Sequence, residues 1–381
     1  MHKKLRILTP IGRFFGAGEI LTGPGSFSAL SAMKSSRIFI IHSASFIQSL
    51  DGTALVKKTF KNKVSFLCEA PKGEPILGNL NGMIQEIREF KPDCILAVGG
   101  GSVIDTGKLI WIMYEHPDIT ETQLSKAFSI PNMRGKAGFV AVPTTAGTGS
   151  EVSSAAVFKF SKDSSKQFAV SHDLLPDIAI LDSNFIINIP RKIKVNSAMD
   201  ALAHSLEGYV SIFRNSYTQD LAEQSIRNIF SSMNDYVVNS DIKAADTMLR
   251  ASNLAGIVQN ISIPGLGHAI SHSLSNHDIS HGLACGRFLP IAMMINSQKE
   301  IVGDLYDTLA IKLNLKDGNA LIEKINNFLE EFEVTISQKL LSSLKTNKNF
   351  IENTLIDPTA RANPIRLSEE HVVEALERAV Q

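Results

Sequence analysis

Cys94-Ile95-Leu96-Ala97-Val98-Gly99-Gly100-Gly101-Ser102-Val103 is the stretch on which the fold turns. Its first five residues are apolar without alternation, the pattern of a strand buried on both faces of a parallel sheet. Three glycines follow at once, and Ser102 offers a side-chain cap for a helix starting at Val103 and running through Asp105, Lys108 and Trp111. Strand, glycines and helix N-terminus together make a cradle for phosphate, because bare backbone N–H groups and the helix dipole both favour an anion. Neither common fingerprint is present. G-x-G-x-x-G would need glycine where Ile104 stands, and the P-loop would need glycine at Ser102 and a hydroxyl at Leu109. From this loop alone, a phosphate cradle and a plain tight turn remain equal readings.

Outward from it, Ile38–Ile41, Val64–Cys68, Phe139–Val142 and Ile178–Leu181 are further strand-type runs. Between them Leu77, Leu80, Met83, Ile84, Ile87 and Phe90 recur at helical spacing, and Pro92 closes that helix. Alternating strands and helices predict an α/β sheet covered on both faces. Beyond Pro190 the strand-type runs become rare. Ala198, Leu202, Leu206 and Tyr209 form a helical stripe, and 340–344 and 372–380 also read as helix. A boundary within 183–190 therefore divides an α/β half, 1–185, from an all-α half, 186–381. The polar stretch Ser161–Lys166 reads as an exposed turn.

The 381 residues carry 38 basic and 38 acidic side chains, so no net charge draws the whole chain to nucleic acid or an anionic membrane. Three scattered cysteines exclude a disulfide framework and a cysteine-rich metal site. The start, Met1-His2-Lys3-Lys4-Leu5, is not followed by a long apolar run, since Arg13 and Gly16 interrupt it, and no apolar run approaches a membrane span. A cytoplasmic setting is the expectation.

A second glycine loop, Pro143-Thr144-Thr145-Ala146-Gly147-Thr148-Gly149-Ser150-Glu151, follows another apolar strand. Its four hydroxyls and two glycines supply more donors than a connecting loop needs. Two such loops at strand C-terminal ends point to one crevice. Farther on, Asp200 and His204 stand four apart on a predicted helix and share a face. Alone they read as well as a carboxylate in a first helical turn bonded to a histidine. His268 and His272 form a second such pair, and His277 and His281 follow, set among Ala, Ile and Leu. One carboxylate and three imidazoles suit Zn²⁺ or Fe²⁺. Spacing does not say which three histidines would bind.

These motifs together resemble the iron-containing, group III alcohol dehydrogenases, from Gly23-Pro24-Gly25 to Asn363-Pro364. Gly99–Lys108 resembles the family's G-G-G-S-x-x-D-x-x-K, Pro143–Glu151 its P-T-T-x-G-T-G-S-E, Asp200–His204 its D-A-x-x-H, and Gly267–His272 with His281-Gly282 its histidine signature. The resemblance implies an N-terminal Rossmann-like dinucleotide-binding domain and a helical C-terminal domain, the dehydroquinate synthase-like fold. It implies a metal, Fe²⁺ or Zn²⁺, held by Asp200, His204, His268 and His281. It places Gly100, Gly101 and Ser102 on the pyrophosphate of NAD or NADP, Thr144, Thr145 and Thr148 along the cofactor, and Lys166 near its ribose. His272 stands where the family has a histidine close to the substrate. The implied reaction interconverts a small alcohol and its aldehyde or ketone, with the metal acidifying the alcohol, hydride passing to nicotinamide and His272 relaying the proton. The family also implies a homodimer.

Three departures qualify this. His42-Ser43 stands where many members have Thr-Asp, and a serine does not repel a 2′-phosphate, so NADP gains weight. The short spacing from His272 leaves His277 as an alternative ligand, although His281-Gly282 keeps the family dipeptide. Lys72-Gly73-Glu74-Pro75 replaces the frequent Pro-Asn-Pro. Ile257, Val258 and Ile261 are candidates either for an apolar pocket wall or for core. The rival readings are a metal hydrolase, which leaves both glycine loops idle, a dehydroquinate synthase-like or metal-free maleylacetate reductase-like relative, and a non-catalytic nucleotide-binding module.

Overall fold

The computed structural model describes residues 16–380 apart from Asp163 and Asp278, so the reading of the first five residues lies outside the described part. Six strands form a parallel sheet: β1 (Glu19–Thr22), β2 (Arg37–His42), β3 (Val64–Glu69), β4 (Cys94–Gly99), β5 (Gly138–Pro143) and β8 (Ile178–Leu181), in the order β1-β8-β5-β4-β2-β3. The strand at the centre of the sequence argument, β4, is buried at every position between β5 and β2. Ile95 and Ala97 face one core cluster and Leu96 and Val98 another, which is why its sequence shows no alternation. Burying each such Ile or Leu stabilises the sheet by about 1.5–3 kcal/mol. The remaining strands, β6 (Ala155–Phe158) and β7 (Gln167–Val170), form a separate antiparallel hairpin.

The sheet contains a topological switch. From β2 the chain moves outward to β3, then returns to the other side of β2 as β4. The carboxyl ends of β2 and β4 therefore diverge in their onward connections, the position at which doubly wound folds bind ligands. His42 ends β2, and Ser43 follows as the cap of the helix Ala44–Leu50, accepting from the Phe46 N–H at 3.3 Å. The glycine loop 99–101 lies on the opposite lip.

Some sequence expectations are revised, and two readings left open are decided. The helix after the glycine loop spans Gly101–Glu115 with Gly100 as its cap, and Ser102, already inside the first turn, makes no capping bond. The helix expected over 77–90 begins as a 3₁₀ turn, Leu77–Leu80, before the α-helix Asn81–Phe90. Strands β1, β6 and β7 are only four residues each and were not foreseen; Ser161–Lys166 lies within the link of the β6–β7 hairpin. The helix carrying Asp200 starts at Arg191 and ends at Val210, so Asp200 sits mid-helix and not in a first turn. Val258 belongs to the helical core.

After β8 the next long element is that helix, Arg191–Val210, and the chain is helical to Val380. Helices Ser216–Asn234, Ile242–Ser262 and His281–Asn296 surround it, so nearly all its faces are covered and its buried residues include Asp200, His204 and Glu207. Close packing requires small residues. A Cβ on Gly282 would stand 1.9 Å from the Asn196 carbonyl oxygen, so only glycine lets His281–Asn296 lie against Arg191–Val210. None of the described helices is long and apolar enough to cross a membrane.

Candidate metal centre and cofactor crevice

Asp200 and His204 lie one helical turn apart on Arg191–Val210 and face the same way. His268 comes from the helix Leu266–Leu274, and His281 opens His281–Asn296. One oxygen, Asp200 Oδ1, faces all three rings: His281 Nε2 at 3.4 Å, His268 Nε2 at 3.7 Å and His204 Nε2 at 3.9 Å. Ligand atoms from the four residues lie within 4.8 Å of one another, a group that can hold a metal ion. Asp200 Oδ1 and His268 Nε2 are buried without any hydrogen-bond partner. Such orphaned atoms are costly unless something positive stands between them. The donor set, one carboxylate and three imidazoles, fits a divalent transition metal. His277 is exposed and outside the group.

Neighbouring groups fix which nitrogen points inward in two of the rings, those of His268 and His281. His268 Nδ1 donates to Glu207 Oε2 at 2.5 Å, so Nε2 is the nitrogen that faces Asp200. Glu207 also accepts from the Gly267 N–H at 2.7 Å, so it caps the helix that carries His268. His281 Nδ1 lies 2.7 Å from Ser271 Oγ. This outer layer orients the rings as metal-binding histidines require. Burial pushes His204 down to about 4 and holds His281 well below the usual imidazole value, so both are neutral and able to donate lone pairs at neutral pH. Cys285 Sγ lies 3.6 Å from His281 Nε2, a neighbour that scattered cysteines gave no reason to expect.

His272 stands directly behind this group. Its ring stacks on that of His281 with centroids 5.2 Å apart, and its Nδ1 lies 2.9 Å from Asp357 Oδ2. Asp357 is itself locked, its other oxygen accepting from the Thr359 N–H at 2.8 Å and hydroxyl at 2.6 Å. Burial lowers His272, against the pull of Asp357.

The two glycine loops face each other. A Cβ on Gly100 would touch the Thr145 side chain at 3.5 Å, and Gly100, Gly101, Ser102, Thr145 and Thr148 are all partly exposed, while Thr144 is buried. Beneath them Lys108, wholly buried, donates to the carbonyls of Ser150, Ser153 and Ala155 at 2.8, 2.7 and 2.8 Å. Burial brings its ammonium down to about 8, against the attraction of Asp105. Asp105 accepts from Ser150 Oγ at 2.5 Å and the Val157 N–H at 3.1 Å. The Asp and Lys of the first loop's motif thus tie the second loop to the first helix. Gly149 (φ +59°) presses on the helical half, where a Cβ would stand 2.2 Å from Gly256 Cα. Gly147 lies near His204, whose protonated form its backbone favours. The cofactor crevice and the metal group are therefore joined by one loop.

Lys166 does not project into solvent as a turn residue would; it pairs with Glu74 and is 7% exposed. Sequence reading missed Glu207, Ser271, Asp357 and Glu74 as parts of this site. Glu207 was within reach, since 200, 204 and 207 fall on one helical face. Asp357 was not, since nothing local ties it to His272.

Comparison with known proteins agrees with this geometry. Residues 17–183 match the family described as iron-containing alcohol dehydrogenase, and residues 194–380 match the C-terminal region of the same family. An alcohol dehydrogenase of Thermococcus barophilus is 31% identical over 95% of this chain and 97% of its own length. An NADPH-dependent butanol dehydrogenase of Clostridium saccharobutylicum is 30% identical over 84% of this chain and 83% of its own. The solved iron-containing alcohol dehydrogenase of Thermococcus thioreducens superposes with a TM-score of 0.89 at 27% identity, covering 97% of this chain and 99% of that one. With matches that run through both halves and through the Asp/His group, this chain belongs to the iron-containing alcohol dehydrogenase family of NAD(P)-dependent oxidoreductases.

Proposed function

We propose that this enzyme interconverts a small primary alcohol and its aldehyde, with Asp200, His204, His268 and His281 as ligands of an Fe²⁺ ion that Zn²⁺ can replace. The observation that carries this is Asp200 Oδ1, buried, unpartnered and faced by three imidazole nitrogens. When bound, the metal polarises the substrate oxygen and the nicotinamide exchanges hydride with the substrate carbon.

The chain's own groups do the rest. Gly100, Gly101 and Ser102 offer backbone donors at the N-terminus of Gly101–Glu115 for a pyrophosphate. Thr144, Thr145 and Thr148 are assigned to the cofactor, following the glycine loop toward the metal group, and Lys166 to its ribose. His272, with Nδ1 held by Asp357, keeps Nε2 free to pass a proton to or from the substrate oxygen. Ser43, on the β2 lip, carries no charge to repel a 2′-phosphate, so NADP(H) is the preferred cofactor. The butanol dehydrogenase of C. saccharobutylicum, named for NADPH, supports the same choice and a short straight-chain substrate. A homodimer in the cytoplasm completes the reading.

The experiment is direct. Metal content is measured by mass spectrometry, and absorbance of NADPH or NADH is followed with a panel of aldehydes. His268→Ala is expected to lose both bound metal and turnover. An active His268→Ala enzyme after chelation would sink the proposal.

A further inference from the structure

The replaced segment Lys72-Gly73-Glu74-Pro75 acquires a role in the folded chain. Strands β6 and β7 pair as Val157 with Phe168 and Phe158 with Gln167. One step beyond, Lys159 and Lys166 come opposite each other on the face that also carries Val157 and Phe168. That face packs toward His272, the ring assigned above to the substrate oxygen. The Phe168 ring lies 5.6 Å from the His272 ring, and Lys159 Nζ donates to Asn276 Oδ1 at 2.8 Å, just past the helix that carries His268 and His272.

Two like charges directly opposed on a ladder repel, and these two are only 8% and 7% exposed. One carboxylate answers both. Glu74 Oε1 pairs with Lys166 and its Oε2 lies 3.7 Å from Lys159. Its position is built in. The Lys159 N–H donates to the Pro75 carbonyl at 2.8 Å, the Leu77 N–H donates to the Lys159 carbonyl at 3.0 Å, and Ile76 bridges to Lys159. The segment after Glu74 is thus stitched to the hairpin, and Glu74 has little freedom to leave.

We infer that Glu74 is a specificity residue, the internal counter-ion of the Lys159–Lys166 pair, which reserves the substrate side of the cleft for uncharged alcohols and aldehydes. A substrate carrying a carboxylate would meet Glu74 at close range and find both ammonium groups already engaged. Without Glu74 the same two lysines become a site for an anionic substrate tail, since buried cations gain most from a partner. This rests on the alcohol dehydrogenase reading above and narrows its substrate class.

Butanal and succinic semialdehyde test it, having the same four-carbon length and differing in a terminal carboxylate. The readout is the ratio of kcat/KM for succinic semialdehyde to that for butanal, with NADPH and metal-loaded enzyme. Glu74→Gln is expected to raise that ratio about tenfold or more, and the further change Lys159→Met in the same chain to cancel the gain. A folded Glu74→Gln enzyme with an unchanged ratio overturns the inference. Should Glu74→Gln fail to fold, Lys159→Met alone is expected to lower the ratio about tenfold, and no change there overturns it equally. A native enzyme that reduces neither aldehyde counts against the dehydrogenase reading instead. In that case calorimetric binding of butyrate decides the inference: Glu74→Gln must bind it about tenfold more tightly than the native protein, and equal binding refutes it.

Discussion

Glu207 Oε2 lies 2.5 Å from His268 Nδ1, and the same carboxylate caps the helix on which His268 sits. One residue therefore sets both the tautomer of a metal-facing ring and the start of its helix. Glu207→Ala should lower metal affinity by about 10–100-fold, the usual cost of removing such an orienting partner. Glu207→Gln, still an acceptor toward Nδ1, should lose less. Competition against a chelator of known affinity measures both, and equal affinity in Glu207→Ala and native protein would refute the role.

Asp357 is joined to His272 at 2.9 Å but touches none of the four metal-facing residues by any observed bond. Asp357→Ala should reduce kcat about tenfold to hundredfold while bound metal and the KM for cofactor stay close to native. Asp357→Asn, which can still accept from Nδ1, should recover part of the loss. A solvent isotope effect that grows in Asp357→Ala would locate the defect in proton transfer. If kcat were untouched, His272 would need no fixed tautomer.

Ser43 offers a test of cofactor choice. Aspartate serves as a helix cap as well as serine does, so Ser43→Asp leaves the bond to the Phe46 N–H replaceable and the fold intact. The new carboxylate at the β2 lip should cut kcat/KM for NADPH by about tenfold or more and shift preference toward NADH. Initial rates with the two cofactors at one aldehyde concentration decide it.

Acid stability of the metal-free protein follows from burial of His204. Its folded value of about 4 lies below the 6.5 of an exposed imidazole, so between these pH values the unfolded chain takes up more protons. The stability that this group contributes is present above pH 6.5 and is lost as pH falls toward 4. His272 and His281 act in the same sense. His268 acts oppositely: burial lowers it, but Cys285 and Glu207 outweigh that and hold it well above the ordinary value. To isolate one ring, melting of metal-stripped native protein is compared with metal-stripped His204→Gln. The native midpoint should fall relative to the variant between pH 6.5 and 4. A constant difference would show that His204 is not desolvated.

The sequence by itself determined the elements whose signal is local. An unalternated run at 94–98 reads as a doubly covered strand, and β4 is that strand because its two faces meet two separate clusters. Asp200 and His204 were a pair by helical spacing, and Glu207 was legible by the same rule. Weak strands were not legible: β1 is four residues on a sheet edge with mixed exposure, and the β6–β7 hairpin is held by partners elsewhere in the chain. The His281-Gly282 dipeptide favoured His281 over His277, and the tertiary structure gives the reason: glycine at 282 lets one helix approach Asn196 and carry His281 to Asp200. Tertiary structure alone brought Asp357 to His272 and Glu74 to Lys166, contacts between segments far apart in sequence. Spacing along a chain fixes which side chains share a face; which faces meet depends on how closely the backbones can pack, and here that distance is set by glycines and buried charges.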